Sequence, residues 1–156
     1  MKGLFEVHCV EETWALARRF AAGLKPGDVV CLEGDLGAGK TTFMQGLASA
    51  MGVKGRVTSP TFCIVQEHRT AVPESPSPDA RSQSPDTPSF LVHMDLYRLH
   101  GEDDVIAIGW EDYLAEGAVL VVEWSERAGS LIPAEAHHIE FHHLGADDES
   151  RRIEFK

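Results

Sequence analysis

The stretch Gly34–Thr41 constrains this chain more than any other, because its glycines, lysine and threonine follow the spacing G-x-x-x-x-G-K-[ST]. In this pattern the glycines let backbone N–H groups turn toward phosphate oxygens, and the following helix directs its positive N-terminal end at the same anion. The apolar run Val29–Leu32 precedes the motif, and apolar residues at helical spacing follow it. The sequence therefore predicts a phosphate-binding loop between a buried parallel strand and a helix.

Two side chains of this loop have the chemistry to act on a bound nucleotide. Lys40 would neutralise the β- and γ-phosphates, and the hydroxyl of Thr41 would hold Mg²⁺. An ordinary glycine-rich turn is the competing interpretation, and the flanking strand and helix patterns disfavour it.

Two acidic residues stand at the ends of other apolar runs. Asp95 closes the run that begins at Phe90, and Glu123 closes the β-branched run that begins at Ala118. The second run is apolar on both faces, which is typical of an interior strand of a parallel sheet. Because open α/β sheets bind ligands at the carboxyl ends of their strands, we expect both acids to lie beside the phosphate loop.

The segment Thr58–Thr61 combines hydroxyl side chains with a proline. In a nucleotide-binding fold such a loop can place Thr58, Ser59 or Thr61 against a γ-phosphate or its metal, where a change in order would report hydrolysis. A simple turn that leads into a strand is the alternative. The phosphate loop favours the first interpretation.

Composition limits the class of protein. A chain of 156 residues, 43% of them hydrophobic, predicts one domain over 1–156 with a sizeable core. Residues 69–89 are rich in proline and serine and predict a flexible insertion loop. Three widely spaced cysteines and the lack of a long apolar run predict a reduced, cytoplasmic protein with no membrane segment.

The formal charge of −11 argues against strong direct binding of nucleic acid, which depends on Lys and Arg at the phosphates. A role near RNA would therefore need a basic partner. At the C-terminus, His137–Leu144 and Arg151–Phe155 alternate as in an antiparallel hairpin. The histidines of this hairpin are interpreted as solvated strand residues, with a metal patch as the alternative. The pattern as a whole predicts an α/β fold, similar to P-loop NTPases, with a mostly parallel central sheet flanked by helices.

Four motifs, taken together, resemble one family. GDLGAGKTT at Gly34–Thr42, TSPTF at Thr58–Phe62, HMDLYR at His93–Arg98 and VEWSER at Val122–Arg127 are similar in order and spacing to the TsaE family of bacterial tRNA threonylcarbamoyladenosine biosynthesis ATPases. The resemblance is weak in the C-terminal hairpin and absent from the proline- and serine-rich insertion.

The resemblance implies roles for individual residues. It implies that Glu123 shares Mg²⁺ with Thr41, that Asp95 is needed for hydrolysis, and that Thr61 lies in a switch-like segment. Trp124, next to the glutamate, lies where it could contact the nucleotide. The implied ATP- or ADP-binding set is Asp35, Leu36, Gly37, Ala38, Gly39, Lys40, Thr41, Thr42 and Trp124, and the implied catalytic set is Lys40, Asp95, Glu123 and Thr61.

The resemblance also implies partners. In this family ATP hydrolysis supports a complex with the proteins TsaB and TsaD, in which TsaD modifies adenosine 37 of tRNA. We therefore expect a Mg²⁺-dependent ATPase, weak alone and stimulated by partners, that meets tRNA only through the complex. Which of the two acids orients the attacking water stays open.

Three alternatives compete with this expectation. A small-molecule kinase would need an arginine-rich lid, but Arg81 is the only interior base of the long insertion. A regulatory GTPase needs asparagine in its guanine-reading motif, and the sequence contains none. A non-catalytic adaptor that senses nucleotide to assemble a complex is the remaining alternative.

Overall fold

Strands and helices alternate along the residues that the computed structural model describes, which are 1–60, 64–70, 88–145 and 149–156. The strands are β1 (Gly3–Val7), β2 (Val29–Glu33), β3 (Val65–Arg69), β4 (Phe90–Asp95), β5 (Val119–Glu123), β6 (His137–His143) and β7 (Arg151–Phe155). The helices are α1 (Val10–Ala21), α2 (Lys40–Ala50), α3 (Glu102–Ala107) and α4 (Trp110–Ala115), and a 3-10 segment covers Ser125–Leu131. None of these helices has the length and apolar content that crossing a membrane requires.

The described strands form one seven-stranded sheet in the order β1-β7-β6-β2-β5-β4-β3. Its centre is parallel, since β2 pairs in parallel with β5 and β6, and β4 pairs in parallel with β5. Antiparallel strands complete both sides, with β3 on β4 and with β7 and β1 beyond β6. The predicted fold class is confirmed, and the C-terminal hairpin extends the parallel centre because its first strand pairs directly with β2.

Helices cover both faces of the central strands. On one face, Val30 and Leu32 of β2 pack with Phe43 and Leu47 of α2 and with residues of α1. On the other, Val29 and its neighbours pack against residues of α3, α4 and the 3-10 segment. All five residues of β5 are buried, as the apolar run predicts for an interior strand.

Of the cysteines, Cys31 is a buried free thiol in β2 and Cys9 is a partly exposed free thiol just before α1. Burial raises the pKa of the Cys31 thiol to about 11, so this group stays protonated and unreactive near neutral pH. Cys63 lies outside the described residues.

The two ends of the predicted insertion 69–89 meet at the sheet. Arg69 ends β3, and the backbone N–H of Thr70 donates to the carbonyl of Ser89 at 3.3 Å. The hydroxyl of Thr70 also donates to the carbonyl of Pro88 at 2.5 Å. Residues 71–87 lie outside the described residues, so flexibility of this loop stays a prediction.

The phosphate-loop helix α2 packs very closely on α1. A Cβ atom built on Gly46 of α2 would lie 2.9 Å from the Cα of Trp14 and 3.0 Å from the Cβ of Ala17. Only glycine permits this approach without a shift of α1. The position of the helix that follows the loop thus depends on its contact with the N-terminal helix.

We expect Gly46→Ala to lower the free energy of unfolding by about 1–2 kcal/mol, because the clash with the α1 backbone outweighs the gain in helix propensity. Gly101→Ala is the matched control, since a Cβ there meets no heavy atom within 4 Å. Urea denaturation of both variants measures the difference. Equal stability of Gly46→Ala and the wild type would contradict the close packing.

Candidate functional site

A cavity of about 620 Å³ lies at the carboxyl ends of β2, β5 and β4. The loop between β2 and α2 forms one wall, and side chains that follow the neighbouring strands form the other. The lining residues are Gly34, Asp35, Leu36, Gly37, Gly39, Lys40, Thr41, Thr42, Ser59, Asp95, Tyr97, Glu123 and Trp124. Most of the residues that the sequence predicts for a nucleotide site therefore lie around one space.

The backbone of this loop has the conformation that its glycines allow. Gly37 and Gly39 have φ angles of 78° and 107°, which disfavour residues with a side chain. Among the described residues no side chain caps the start of α2, so the N–H groups of its first turn are available to an external acceptor. Together with the helix dipole, this arrangement suits an anion such as a phosphate.

The loop residues between the glycines differ in exposure. Ala38 is buried, so its side chain faces the core and only its backbone is available to a ligand. Leu36 is 99% exposed, and Asp35 is exposed as well. Both line the cavity at its solvent side.

Lys40 extends back over the loop. Its Nζ donates to the carbonyl oxygens of Gly34, at 2.5 Å, and Asp35, at 3.0 Å, and lies 3.9 Å from Oε2 of Glu123. The ammonium is thus held inside the cavity wall by neutral carbonyls and by one acid. A phosphate oxygen in the cavity would offer it a stronger, charged acceptor.

Asp95 and Glu123 are direct partners in the register between β4 and β5. Glu123 is buried and Asp95 is partly buried. Oδ1 of Asp95 accepts a hydrogen bond from the backbone N–H of Tyr97 at 3.0 Å, which fixes that carboxylate at the strand end. The structure therefore brings the two predicted acids together beside Lys40.

His93 is a residue of the site to which the sequence analysis assigns no role. It is fully buried in β4, and its Nε2 lies 2.9 Å from Oε1 of Glu123. The available signal is its position two residues before Asp95, which puts both on the same face of the strand. A histidine within an otherwise apolar strand, on the face of a candidate acid, is a pattern that could have identified it.

Two aromatic rings stand at the mouth of the cavity. The ring centroids of Tyr97 and Trp124 lie 4.8 Å apart, and both side chains remain about half exposed. Trp124 has a φ of 58° and a ψ of 46°, a left-handed conformation that is costly for a residue with a side chain. Strained backbone of this kind is concentrated at functional sites. Sequence reasoning identified Trp124 and missed Tyr97.

The predicted switch-like segment Thr58–Thr61 follows a residue that is bonded to α2. Gln45 of α2 donates from Nε2 to the carbonyl of Val57 at 3.2 Å, which ties the segment to α2. Ser59 reaches the cavity, and Thr58 accepts a long hydrogen bond of 3.5 Å from Gln66. Thr61 lies outside the described residues, so its catalytic role stays a prediction.

Arg151, at the start of β7, supports the loop from behind. One guanidinium nitrogen donates to the carbonyl of Gly37 at 3.2 Å, and another donates to the carbonyl of Ser150 at 2.9 Å. The aliphatic part of its side chain lies against Gly39. No sequence signal pointed to this contact, since 114 residues separate Arg151 from Gly37.

The oxygen atoms near Lys40 suit a hard divalent cation. Thr41 supplies a hydroxyl at the start of α2, and Glu123 keeps Oε2 on the Lys40 side while Oε1 is bonded to His93. Mg²⁺ prefers oxygen ligands and usually binds through one or two carboxylates together with phosphate oxygens. The oxygen donors of Thr41 and Glu123 are thus of the type that the predicted metal prefers, and their role as its ligands stays a prediction.

A second cluster of ligand types lies on the C-terminal hairpin. Glu140, His142 and Glu154 have candidate ligand atoms within 4.8 Å of one another. The ammonium of Lys156 already lies 2.6 Å from Glu140 and lowers the pKa of that carboxyl. An ammonium in this position opposes a cation, which disfavours a metal at His142.

These features define an α/β protein of the P-loop NTPase-like class. Residues 7–153 match the family model described as "Threonylcarbamoyl adenosine biosynthesis protein TsaE". The chain belongs to the TsaE family. The resemblance seen in the four motifs is thus confirmed, and the family places the chain in tRNA threonylcarbamoyladenosine biosynthesis.

Individual relatives agree with this assignment. The tRNA threonylcarbamoyladenosine biosynthesis protein TsaE of Bacillus subtilis is 39% identical over 93% of this chain and 79% of its own length. The proteins of the same name from Mycobacterium tuberculosis H37Rv and Aquifex aeolicus are each 40% identical over 75% of this chain, which spans 65% and 72% of their lengths. The crystal structure of Bacillus subtilis YdiB matches with a TM-score of 0.73 at 33% identity, over 99% of this chain and 84% of that one.

We expect Arg151→Ala to loosen the phosphate loop, because the carbonyl of Gly37 loses its guanidinium donor. Hydrogen–deuterium exchange of the ligand-free protein should show faster exchange in the peptide that spans residues 34–41. Arg152→Ala is the matched control, since Arg152 instead forms an ion pair with Glu6 at 3.1 Å. Identical loop exchange in the two variants would contradict the support from β7.

Proposed function

We propose that this chain is the ATP-binding and ATP-hydrolysing member of a tRNA-modifying complex that forms N6-threonylcarbamoyladenosine at position 37. The observation that carries the proposal is the convergence of Lys40, Glu123 and Asp95 on the cavity behind the phosphate loop. The proposal includes a cytoplasmic location, because the modification pathway of the family acts on tRNA.

Nucleotide binding in this proposal depends mainly on the loop and the start of α2. The uncapped N–H groups in the first turn of α2 would donate to a phosphate, and the ammonium of Lys40 would exchange the loop carbonyls for phosphate oxygens. Trp124 and Tyr97 are exposed and line the cavity, where their rings would contact the nucleotide. Thr41 and Glu123 hold Mg²⁺, which neutralises charge on the phosphates when bound.

Hydrolysis in this proposal is an electrostatic task. Lys40 and the loop N–H groups stabilise the charge that develops on the transferring phosphoryl group. Asp95 has one oxygen fixed by the Tyr97 N–H, and in this proposal its other oxygen would orient the attacking water. Glu123, bonded to His93 and close to Lys40, is better suited to the metal than to proton transfer.

Partners complete the proposal. The net charge of −11 disfavours direct binding of tRNA, so contact with RNA occurs through TsaB and TsaD. Weak hydrolysis by the isolated chain, raised by these partners, is the expected behaviour. The adaptor alternative is favoured only by the exposure of the phosphate loop, which would allow nucleotide binding without hydrolysis. Nucleotide binding alone could then drive assembly.

We expect Lys40→Ala to weaken ATP binding at least about 10-fold and to abolish the hydrolysis that TsaB and TsaD stimulate, because it removes the cation at the phosphates. The measurements are calorimetric titration and phosphate release with and without purified TsaB–TsaD. Lys54→Ala is the matched control, since Lys54 is exposed and does not line the cavity. Unchanged affinity and hydrolysis in Lys40→Ala would contradict the proposal.

We expect Asp95→Asn and Glu123→Gln to fail in different ways. Asp95→Asn should bind MgATP within about threefold of the wild type while hydrolysis falls about 100-fold or more, because only water orientation is lost. Glu123→Gln should instead raise the Mg²⁺ concentration needed for half-maximal hydrolysis. Nucleotide binding with no phosphate release by the wild type, even with TsaB and TsaD, would favour the adaptor.

A further inference from the structure

We propose that His93 is a positioning residue that orients Glu123 for the divalent cation. This inference rests on the proposed function, since it assigns the means by which the metal ligand of that site is held. Its basis is one buried contact between adjacent strands, the 2.9 Å hydrogen bond from Nε2 of His93 to Oε1 of Glu123.

The hydrogen bond fixes which carboxylate oxygen is free. A carboxylate only accepts hydrogen bonds, so the shared proton is carried by Nε2 of His93. Oε1 of Glu123 is occupied by this donor, while Oε2 lies on the opposite side, 3.9 Å from Nζ of Lys40. The carboxylate therefore presents one defined oxygen toward the phosphate loop.

The surroundings of His93 do not explain a polar ring there. The side chain is fully buried, and its strand neighbours Val92 and Met94 belong to the apolar core. Its register partner on β5 is Val121, another core residue. Among the described residues Nδ1 of His93 has no hydrogen-bond partner. A single hydrogen bond therefore offsets the cost of removing the ring from water.

An apolar residue of similar size would therefore fit the core better than histidine. Within the described part of the chain, the contact with Glu123 is the one interaction that requires a ring N–H. Hydrogen-bonding groups behind a metal ligand fix its orientation, and their loss typically lowers metal affinity or activity about 10- to 100-fold. We infer that His93 acts on the metal only through Glu123, and that it has no contact with the nucleotide.

The test measures the gain in affinity that Mg²⁺ confers on a non-hydrolysable ATP analogue. Calorimetric titrations in EDTA and in excess Mg²⁺ give this gain for the wild type, His93→Leu, His93→Gln and Leu91→Val. His93→Leu removes the donor and retains bulk, whereas His93→Gln keeps an N–H that can reach Oε1. Leu91→Val is the packing control, since Leu91 is a fully buried residue on the same strand and face.

The expected result separates positioning from stability. His93→Leu should bind the analogue in EDTA within about twofold of the wild type but lose about 10-fold or more of the gain from Mg²⁺. His93→Gln should recover most of that gain. Leu91→Val should have a lower melting temperature and an unchanged gain.

A double-mutant comparison adds the pairwise evidence. In the Glu123→Gln background, His93→Leu should cause no further loss of the gain from Mg²⁺, because His93 has no other route to the metal. His93→Asn, whose shorter side chain stops before Oε1, provides a second variant that keeps a polar group and should behave as His93→Leu does.

Different failures have different meanings. If the wild type gains affinity with Mg²⁺ and His93→Leu and His93→Asn gain equally, His93 is a core residue and the inference is overturned while the proposed function stands. An additive loss in the Glu123→Gln background also overturns it. If the wild type does not bind the analogue in either condition, the proposed function fails first, and the inference fails with it.

Discussion

The parallel pairing of β4, β5 and β2 is the constraint on which the site depends. Its register aligns Asp95 with Glu123 and Glu123 with Leu32. These three neighbouring residues therefore lie side by side at the end of the sheet where β2 leads into the phosphate loop. No single strand could supply this arrangement. The hydrogen bonds of the sheet bring together residues that are separated by long stretches of the chain. Because successive side chains of a strand point to opposite faces, a one-residue slip of β5 would move the carboxylate of Glu123 to the other face of the sheet.

Burying Glu123 at the end of this row creates an electrostatic problem that the neighbours solve. An unpaired buried carboxylate is costly, and its two oxygens here face a histidine donor and a lysine ammonium. Lys40 is in turn held by loop carbonyls, so it keeps polar partners without a ligand. The charged side chains around the cavity are therefore paired without a ligand, and in the proposed function Lys40 is the side chain that would exchange these partners for a phosphate.

The parts predicted from sequence are those that leave a local signal. The spacing of Gly34–Thr41 identified the loop, and the apolar run before Glu123 identified an interior strand, because both depend on residues close in the chain. Contacts between residues that are far apart in the chain left no such signal. Arg151 reaches Gly37 from the far end of the chain, and the close approach of Gly46 to Trp14 depends on how two helices cross. His93 is intermediate, since its place on the face of Asp95 is readable but its bond to Glu123 requires the strand order.

The two ends of the long insertion lie at the end of β3 and β4 that is opposite the site. Because β3 is antiparallel to β4, Val65 pairs with Met94 near the phosphate loop, whereas Arg69 pairs with Phe90 at the opposite end of the sheet. The hydrogen bonds of Thr70 to Pro88 and Ser89 close the chain at that opposite end. The ends of the segment at Thr70 and Pro88 therefore lie away from Asp95 and Glu123, and the register that aligns these two acids is that of β4 on β5. The register of β3 on β4 is thus closed before the segment departs, so the pairing of β4 with β5 does not need the segment.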